Sequence, residues 1–224
     1  MDIYKQFDED LKSCKKCKKI LSEFFVDPCK SIERVKEKPI VSGIRQKPIL
    51  LMGQAPGLTE YETGKPYQGQ AGKKIREIFR GIGIEDFDSL VYSSAVVKCY
   101  PGRKYKTKDR PSSGSEDRAP TTEMIRNCRP LLEQQIDLVN PQIIITLGSF
   151  PLKAYLRLSD QRTSKIKLDQ YVGKSEAWDE KLIIFFPHTS GGARWLNITS
   201  NKKLFIKAQT LLRSALIDKG IITA

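Results

Sequence analysis

The sequence predicts an α/β fold: three layers, α/β/α, around a central, mainly parallel four-stranded sheet. Three observations point to it. Four short apolar runs, at 48–53, 90–97, 142–147 and 182–187, each lead into a turn rich in glycine or proline. Stretches of helical spacing separate them, the arrangement of a parallel sheet with crossover helices. The runs are apolar throughout rather than alternating, as strands covered on both faces are.

The elements follow in order. Residues 2–12 read as a short amphipathic helix leading to Cys14-Lys15-Lys16-Cys17. Residues 27–47 are polar and irregular, punctuated by Pro28, Pro39 and Gly43. Pro48-Ile49-Leu50-Leu51-Met52-Gly53 is the first buried strand, stopped by its glycine. Ala71–Ile82 places Ile75, Ile78, Phe79 and Ile82 on one helical face, with Gly83 as the stop. Leu90–Val97 is the second strand. Tyr100–Thr121 is rich in Gly, Ser, Pro and charge and reads as a long exposed loop, with an insertion at about 102–117. Thr122–Val139 is a helix capped by Thr121 or Thr122, and Gln142–Leu147 is the third strand. Ser149–Leu158 is a helix, Leu182–Pro187 the fourth strand, and Ser200–Leu216 a closing helix with Leu204, Phe205, Ala208, Leu211, Leu212 and Leu216 inward. There is no internal repeat, and residues 1–224 read as a single domain.

Composition narrows the function classes. The chain has 224 residues, 39% hydrophobic and 8% aromatic, the balance of a globular protein. No apolar run approaches the roughly 20 residues of a membrane helix. The start, Met1-Asp2-Ile3-Tyr4-Lys5-Gln6, lacks a signal core, so a cytoplasmic location is expected. Five cysteines, an odd number, fit a disulfide framework poorly and suit metal binding or redox chemistry in a reducing compartment. A single histidine excludes His-rich metal sites, and the zinc-deaminase signature is absent. Lys plus Arg is 39 against 26 Asp plus Glu, a net charge of +13, which suits a polyanionic partner. The basic residues gather at 12–19, 103–110 and 202–213.

In open α/β sheets, ligands bind beyond the carboxyl ends of the strands. Four turns lie there: Gly53-Gln54-Ala55-Pro56-Gly57, Lys98-Cys99-Tyr100-Pro101, Gly148-Ser149, and Pro187-His188-Thr189-Ser190-Gly191-Gly192. The only histidine therefore belongs near a glycine-rich turn at that edge. Cys14 and Cys17 form a chelating pair that Cys99 and Cys128 could complete; a cluster, a four-cysteine zinc and unligated thiols all remain open on the residues alone. Cys29 is left over.

Taken together, the motifs resemble a known family. The run from Gly53 to Lys73, through Pro56, Gly57, Glu60, Gly64, Pro66, Tyr67, Gly69 and Gly72, is similar to the first motif of the iron–sulfur uracil-DNA glycosylases, family 4 in particular. Val97-Lys98-Cys99-Tyr100-Pro101, Arg118-Ala119-Pro120 with Glu123 and Cys128, Asn140–Gly148, and His188-Thr189-Ser190 match further motifs in the family's order. The resemblance covers roughly residues 10–215 and implies a monomer that flips a uracil out of single- or double-stranded DNA and hydrolyses its N-glycosidic bond. It implies a [4Fe–4S] cluster on Cys14, Cys17, Cys99 and Cys128. It makes His188 the donor to charge developing on the departing base. Gln54 or Glu60 would place the water. Tyr67 would stack on the base, in a pocket shaped by Gly53, Ala55, Gly57, Ala95 and Ser190. Lys98, Arg194 and Trp195 would touch DNA, Trp195 alternatively packing on the last helix. Arg103, Lys104, Lys106, Lys108 and Arg110 of the insertion would lie near phosphates or simply in solvent.

The sequence also departs from the family. Gln54 replaces a glutamate, Tyr61 an aspartate, Ala95 an asparagine that reads the base edge, and Thr189 a proline. Alanine at 95 is similar to family 5, whose members accept wider substrates. These departures leave an alternative from another class: a nucleic-acid-binding module that keeps the fold and cluster with little or no catalysis. A nucleotide-binding domain is disfavoured, since neither a Gly-x-Gly-x-x-Gly nor a P-loop lysine is present.

Overall fold

The computed structural model describes residues 2–27, 33–104, 116–161, 165–189 and 194–223. In chain order the elements are α1 (Ile3–Lys12), α2 (Lys18–Leu21), β1 (Ile49–Gly53), α3 (Leu58–Thr63), α4 (Gln70–Gly81), α5 (Phe87–Leu90), β2 (Val91–Ala95), α6 (Thr122–Val139), β3 (Ile143–Leu147), α7 (Ser149–Leu158), β4 (Ser175–Trp178), β5 (Lys181–Phe186) and α8 (Thr199–Asp218). The sheet runs β2-β1-β3-β5-β4. β1 pairs in parallel with β2 and β3, and β3 in parallel with β5. Only β4 is antiparallel, against β5.

The sheet thus has five strands, not the four expected. The additional strand, Ser175–Trp178, lies at the edge and buries no residue fully, so it lacks the apolar run that marks the others. The parallel strands are sandwiched as their composition predicts. Alternate residues point to opposite faces. Leu50, Met52, Tyr92, Ile144, Ile183 and Phe185 pack with α1, α6 and α7. Ile49, Leu51, Val91, Ile145, Ile184 and Phe186 pack with α4 and α8.

Helix boundaries follow local chemistry. The Thr121 hydroxyl accepts the Met124 N–H at 3.2 Å and caps α6, whose far end closes on Asn140 in the left-handed conformation. α4 starts directly after Gly69 and buries Ile75, Ile78 and Phe79. The second strand stops at Ala95, two residues short of the expectation. Beyond it, the Val96 and Val97 N–H groups still donate to the Gly53 and Gln54 carbonyls, at 2.9 and 3.1 Å.

Among the described residues no helix is long and apolar enough to cross a membrane.

Candidate active site and thiol corner

Two loops meet at the carboxyl edge of the sheet. The first leaves β1 at Gly53 and returns through Tyr67 into α4. Gly53 pairs in register with Ala95 on β2. A Cβ on Gly53 would stand 2.5 Å from the Tyr67 hydroxyl oxygen, so glycine at 53 leaves the room in which the tyrosine tucks against the strand end. From there the Tyr67 hydroxyl donates to the Ser94 carbonyl at 3.4 Å. Burial pushes that hydroxyl well above its ordinary pKa, so it stays protonated. Tyr67 also holds a φ of 53°, rare for a residue with a side chain and maintained by its surroundings.

The second loop leaves β5 at Phe186 and carries His188. The Gly148 N–H donates to the Phe186 carbonyl at 2.8 Å, which joins the ends of β3 and β5. Gly148 has a φ of 89°, and a Cβ there would meet His188 Cβ at 3.2 Å. The histidine is therefore seated against a backbone position that suits glycine. Burial lowers the His188 pKa and favours the neutral imidazole. The Thr189 hydroxyl donates to the Ala71 carbonyl at 3.1 Å, fastening this turn to the first turn of α4, where the Tyr67 loop ends. Ser190, Gly191 and Gly192 lie outside the described residues, as do Cys29, Lys106, Lys108, Arg110 and the side chain of Arg194.

Three expectations shift. Glu60 was paired with Gln54 for placing water. Its carboxylate instead accepts the Gly57 N–H at 3.0 Å and the Gly69 N–H at 2.7 Å. Both oxygens brace the loop across its mouth. Gln54 and Ala55 stay half-exposed in the turn after β1, where they can meet a ligand.

Lys98 was expected on DNA, but only 2% of it is exposed. Its ammonium donates to Ser94 Oγ at 2.9 Å, to the Ala95 carbonyl at 2.6 Å and to Gln135 Oε1 at 2.6 Å. Gln135 in turn donates to the Tyr92 hydroxyl, which donates to the Ser42 carbonyl. The lysine turns inward because these acceptors satisfy its donors, which corrects the DNA assignment; burial lowers its pKa to about 7. Trp195 packs in part against the core layer containing α8, and its carbonyl accepts from Asn201. Of its two expected placements, the structure favours the packed one.

The thiols of Cys14, Cys17, Cys99 and Cys128 line one small cavity with Leu11, Pro39, Asn127 and Leu131. All four are free, and all but Cys14 are buried. The segments that bring them there are far apart in sequence: the turn after α1, the stretch following β2, and α6. Pro39 bridges to Cys99, and the Ile40 N–H donates to the Lys98 carbonyl at 2.8 Å, pinning the 39–44 segment alongside. The Asn127 amide reaches Cys17 Sγ at 3.6 Å and the Lys16 carbonyl at 3.1 Å. The Cys17 thiol, then the Lys98 backbone N–H and nearby cations, pull the Cys128 thiol down to about 6. Burial pushes Cys99 up to about 12. Four cysteines line this cavity, one of them biased to thiolate, and thiolate donors suit a soft metal or an iron–sulfur cluster.

Comparison with known proteins agrees with this geometry. Residues 41–213 match the family described as the uracil DNA glycosylase superfamily. A type-4 uracil-DNA glycosylase of Sulfurisphaera tokodaii is 32% identical over 190 residues, spanning 84% of this chain and 73% of that protein. Type-4 uracil-DNA glycosylases of Pyrobaculum aerophilum (33% over 118 residues, 53% of each chain) and Archaeoglobus fulgidus (30% over 141 residues, 62% of this chain and 63% of that one) are also similar. With more than half its length matched by the family and its motifs gathered at one sheet edge, the chain belongs to the uracil-DNA glycosylase superfamily.

Proposed function

We propose that this protein is a monofunctional DNA glycosylase that hydrolyses the N-glycosidic bond of uracil in DNA and so initiates base-excision repair. The observation that carries the reading is the fastening of the His188 turn to the Tyr67 loop through Thr189 and Ala71, in a chain of this superfamily.

Base removal passes through a transition state in which the sugar gains positive charge and the departing base becomes an anion. His188, neutral and half-buried, donates an N–H to that anion. The Tyr67 ring stacks on the extruded base, and its pinned hydroxyl fixes the ring's place. Gly53, Ala55 and Gly57 bring backbone groups close to the base, with Ala95 beside Gly53 on the neighbouring strand and Ser190 following His188. The Gln54 amide orients the attacking water, a role the residue can fill as a hydrogen-bonding group though not as a base. Glu60 holds the loop that does this. Arg194, between the His188 turn and α8 in sequence, would meet the duplex there, while Trp195 packs on the layer of α8.

Cys14, Cys17, Cys99 and Cys128 would hold a [4Fe–4S] cluster. A cluster held there would tie α1 and the stretch following β2 to α6, a structural service. The protein acts as a monomer in the cytoplasm.

The test is direct. Uracil-containing single- and double-stranded oligonucleotides are incubated with the protein, and abasic sites are then cleaved with alkali. Strand scission that depends on uracil is the expected result. Tight DNA binding without scission on uracil or hypoxanthine would instead favour a binding module, the alternative that Gln54 and Ala95 keep open.

A further inference from the structure

Asp117 is a half-buried carboxylate that the mechanism above does not use. Its Oδ1 lies 2.9 Å from the Tyr100 hydroxyl, which is also 3.1 Å from the Val26 carbonyl oxygen. Its Oδ2 accepts the Leu58 N–H at 3.4 Å. A Cβ placed on Gly57 would stand 2.8 Å from the same oxygen, so the carboxylate presses directly on the loop leaving β1. The Tyr100 ring lies against Tyr61 of α3, centroids 5.4 Å apart. Arg103 Nε, buried without a hydrogen-bond partner, is 4.0 Å from Oδ1.

These contacts join two places that the sequence keeps apart. Tyr100 directly follows Cys99, one wall of the thiol cavity. Leu58 directly follows Gly57, at the end of the turn that carries Gln54 and Ala55. Burying a carboxylate costs free energy that only good partners offset. Asp117 has them on both sides: a tyrosine from the thiol corner and a backbone amide from the ligand loop.

We propose that Asp117 is a positioning residue: its carboxylate struts the Gly53–Leu58 loop against Tyr100, so that the geometry of the base-binding loop is set from the thiol corner. The proposal rests on the glycosylase reading for its effect on rate, but the strut itself is a statement about Leu58 and Tyr100. It complements Glu60, which braces the same loop from within through Gly57 and Gly69. Glu60 fixes the loop's shape, and Asp117 fixes where it stands.

Asp117→Ala and Asp117→Asn, each in the full chain, separate positioning from mere folding. In Asp117→Ala, single-turnover excision of uracil should fall about 10-fold or more, since small misplacements of reacting groups are costly. Iron content, visible absorbance and affinity for uracil-containing DNA should match wild type. Asp117→Asn keeps an oxygen acceptor and should restore most of the rate. Hydrogen exchange supplies a readout besides activity: the Leu58 amide should exchange faster in Asp117→Ala than in wild type, with Leu50 and Leu51 of β1 unchanged. Unaltered Leu58 protection, an Asn variant as slow as the Ala variant, or loss of iron in step with activity would each overturn the strut. If wild type itself leaves uracil in place, the glycosylase reading fails, and Leu58 exchange still decides the role of Asp117.

Discussion

The Thr189 hydroxyl donates to the Ala71 carbonyl at 3.1 Å across a sequence separation of 118 residues, and this bond brings the turn of His188 to the loop of Tyr67. In the superfamily motif as it reads here, a proline at 189 would have no hydroxyl to donate. The threonine thus supplies a fastening of its own between the two loops.

His188 carries the first prediction. Burial holds its pKa below the ordinary 6.5, so the imidazole is neutral at and above that pH. If the neutral ring is the donor, excision persists as pH rises from about 6.5 to about 8, whereas an imidazolium donor would lose activity over that interval. The same depression makes the fold less stable as pH falls from 6.5 through the lowered value, since the unfolded chain takes up the proton first. His188→Ala should cut turnover by about 10²-fold while leaving DNA binding nearly intact. A pH–rate profile of the two proteins checks the rates, denaturation across the same pH range the stability, and a binding titration the affinity.

The thiol corner supplies the second. Cys128→Ser replaces the sulfur most inclined to thiolate. Anaerobically purified variant should hold less iron and show weaker broad visible absorbance than wild type. Limited proteolysis should then cut sooner within residues 2–26, because α1 and α2 would lose their tie to α6. Iron assay and mass spectrometry of the fragments decide it.

Lys98 supplies the third, and it tests a correction. A lysine contacting phosphate contributes to the salt dependence of DNA binding, about 0.9 per contact in log–log slope on duplex. Lys98 is buried, so Lys98→Met should leave that slope unchanged. Lys98→Ala should destabilise the fold by about 2–4 kcal/mol, because it opens a cavity and strips a donor from Ser94 and Gln135. Chemical denaturation and binding titrations at several salt concentrations measure the two effects separately.

Ala95 supplies the fourth. It lies beside Gly53 at the end of the outermost parallel strand, where an amide side chain could read the edge of a base. Ala95→Asn should raise the preference for uracil over hypoxanthine by about 1–3 kcal/mol, or roughly 5- to 150-fold in relative kcat/KM. Competition between the two substrates in one reaction reads the ratio.

The parallel core was legible because each strand is an apolar run with a turn at its end, and burial on both faces demands nothing subtler. α6 was legible to the residue, since Thr121 announces its start and a long apolar period carries it to Asn140. Four short elements, α2, α3, α5 and β4, were not. The edge strand Ser175–Trp178 leaves Ser175 and Ala177 exposed, and its pairing is written in β5 rather than in itself. The short helix Leu58–Thr63 hides among glycines and takes its start from Glu60 reaching back to Gly57. The site shows the same division. His188 and Tyr67 stand on turns whose place at the sheet's carboxyl edge the sequence already indicates. The inward turn of Lys98 and the bracing contacts of Glu60 were not legible, because their partners Gln135 and Gly69 come from other parts of the chain. Asp117 carried no signal at all: its neighbours Tyr100 and Leu58 meet it only once the sheet has formed.

The strand at 175–178 has one more effect. Running opposite to its one neighbour and only four residues long, it ends the sheet with few free amide and carbonyl groups for another molecule to pair with. Joined to a net charge of +13, that blunt rim sets mutual repulsion against stacking of sheet on sheet, so concentrated stocks should stay clear until a polyanion or high salt removes the repulsion.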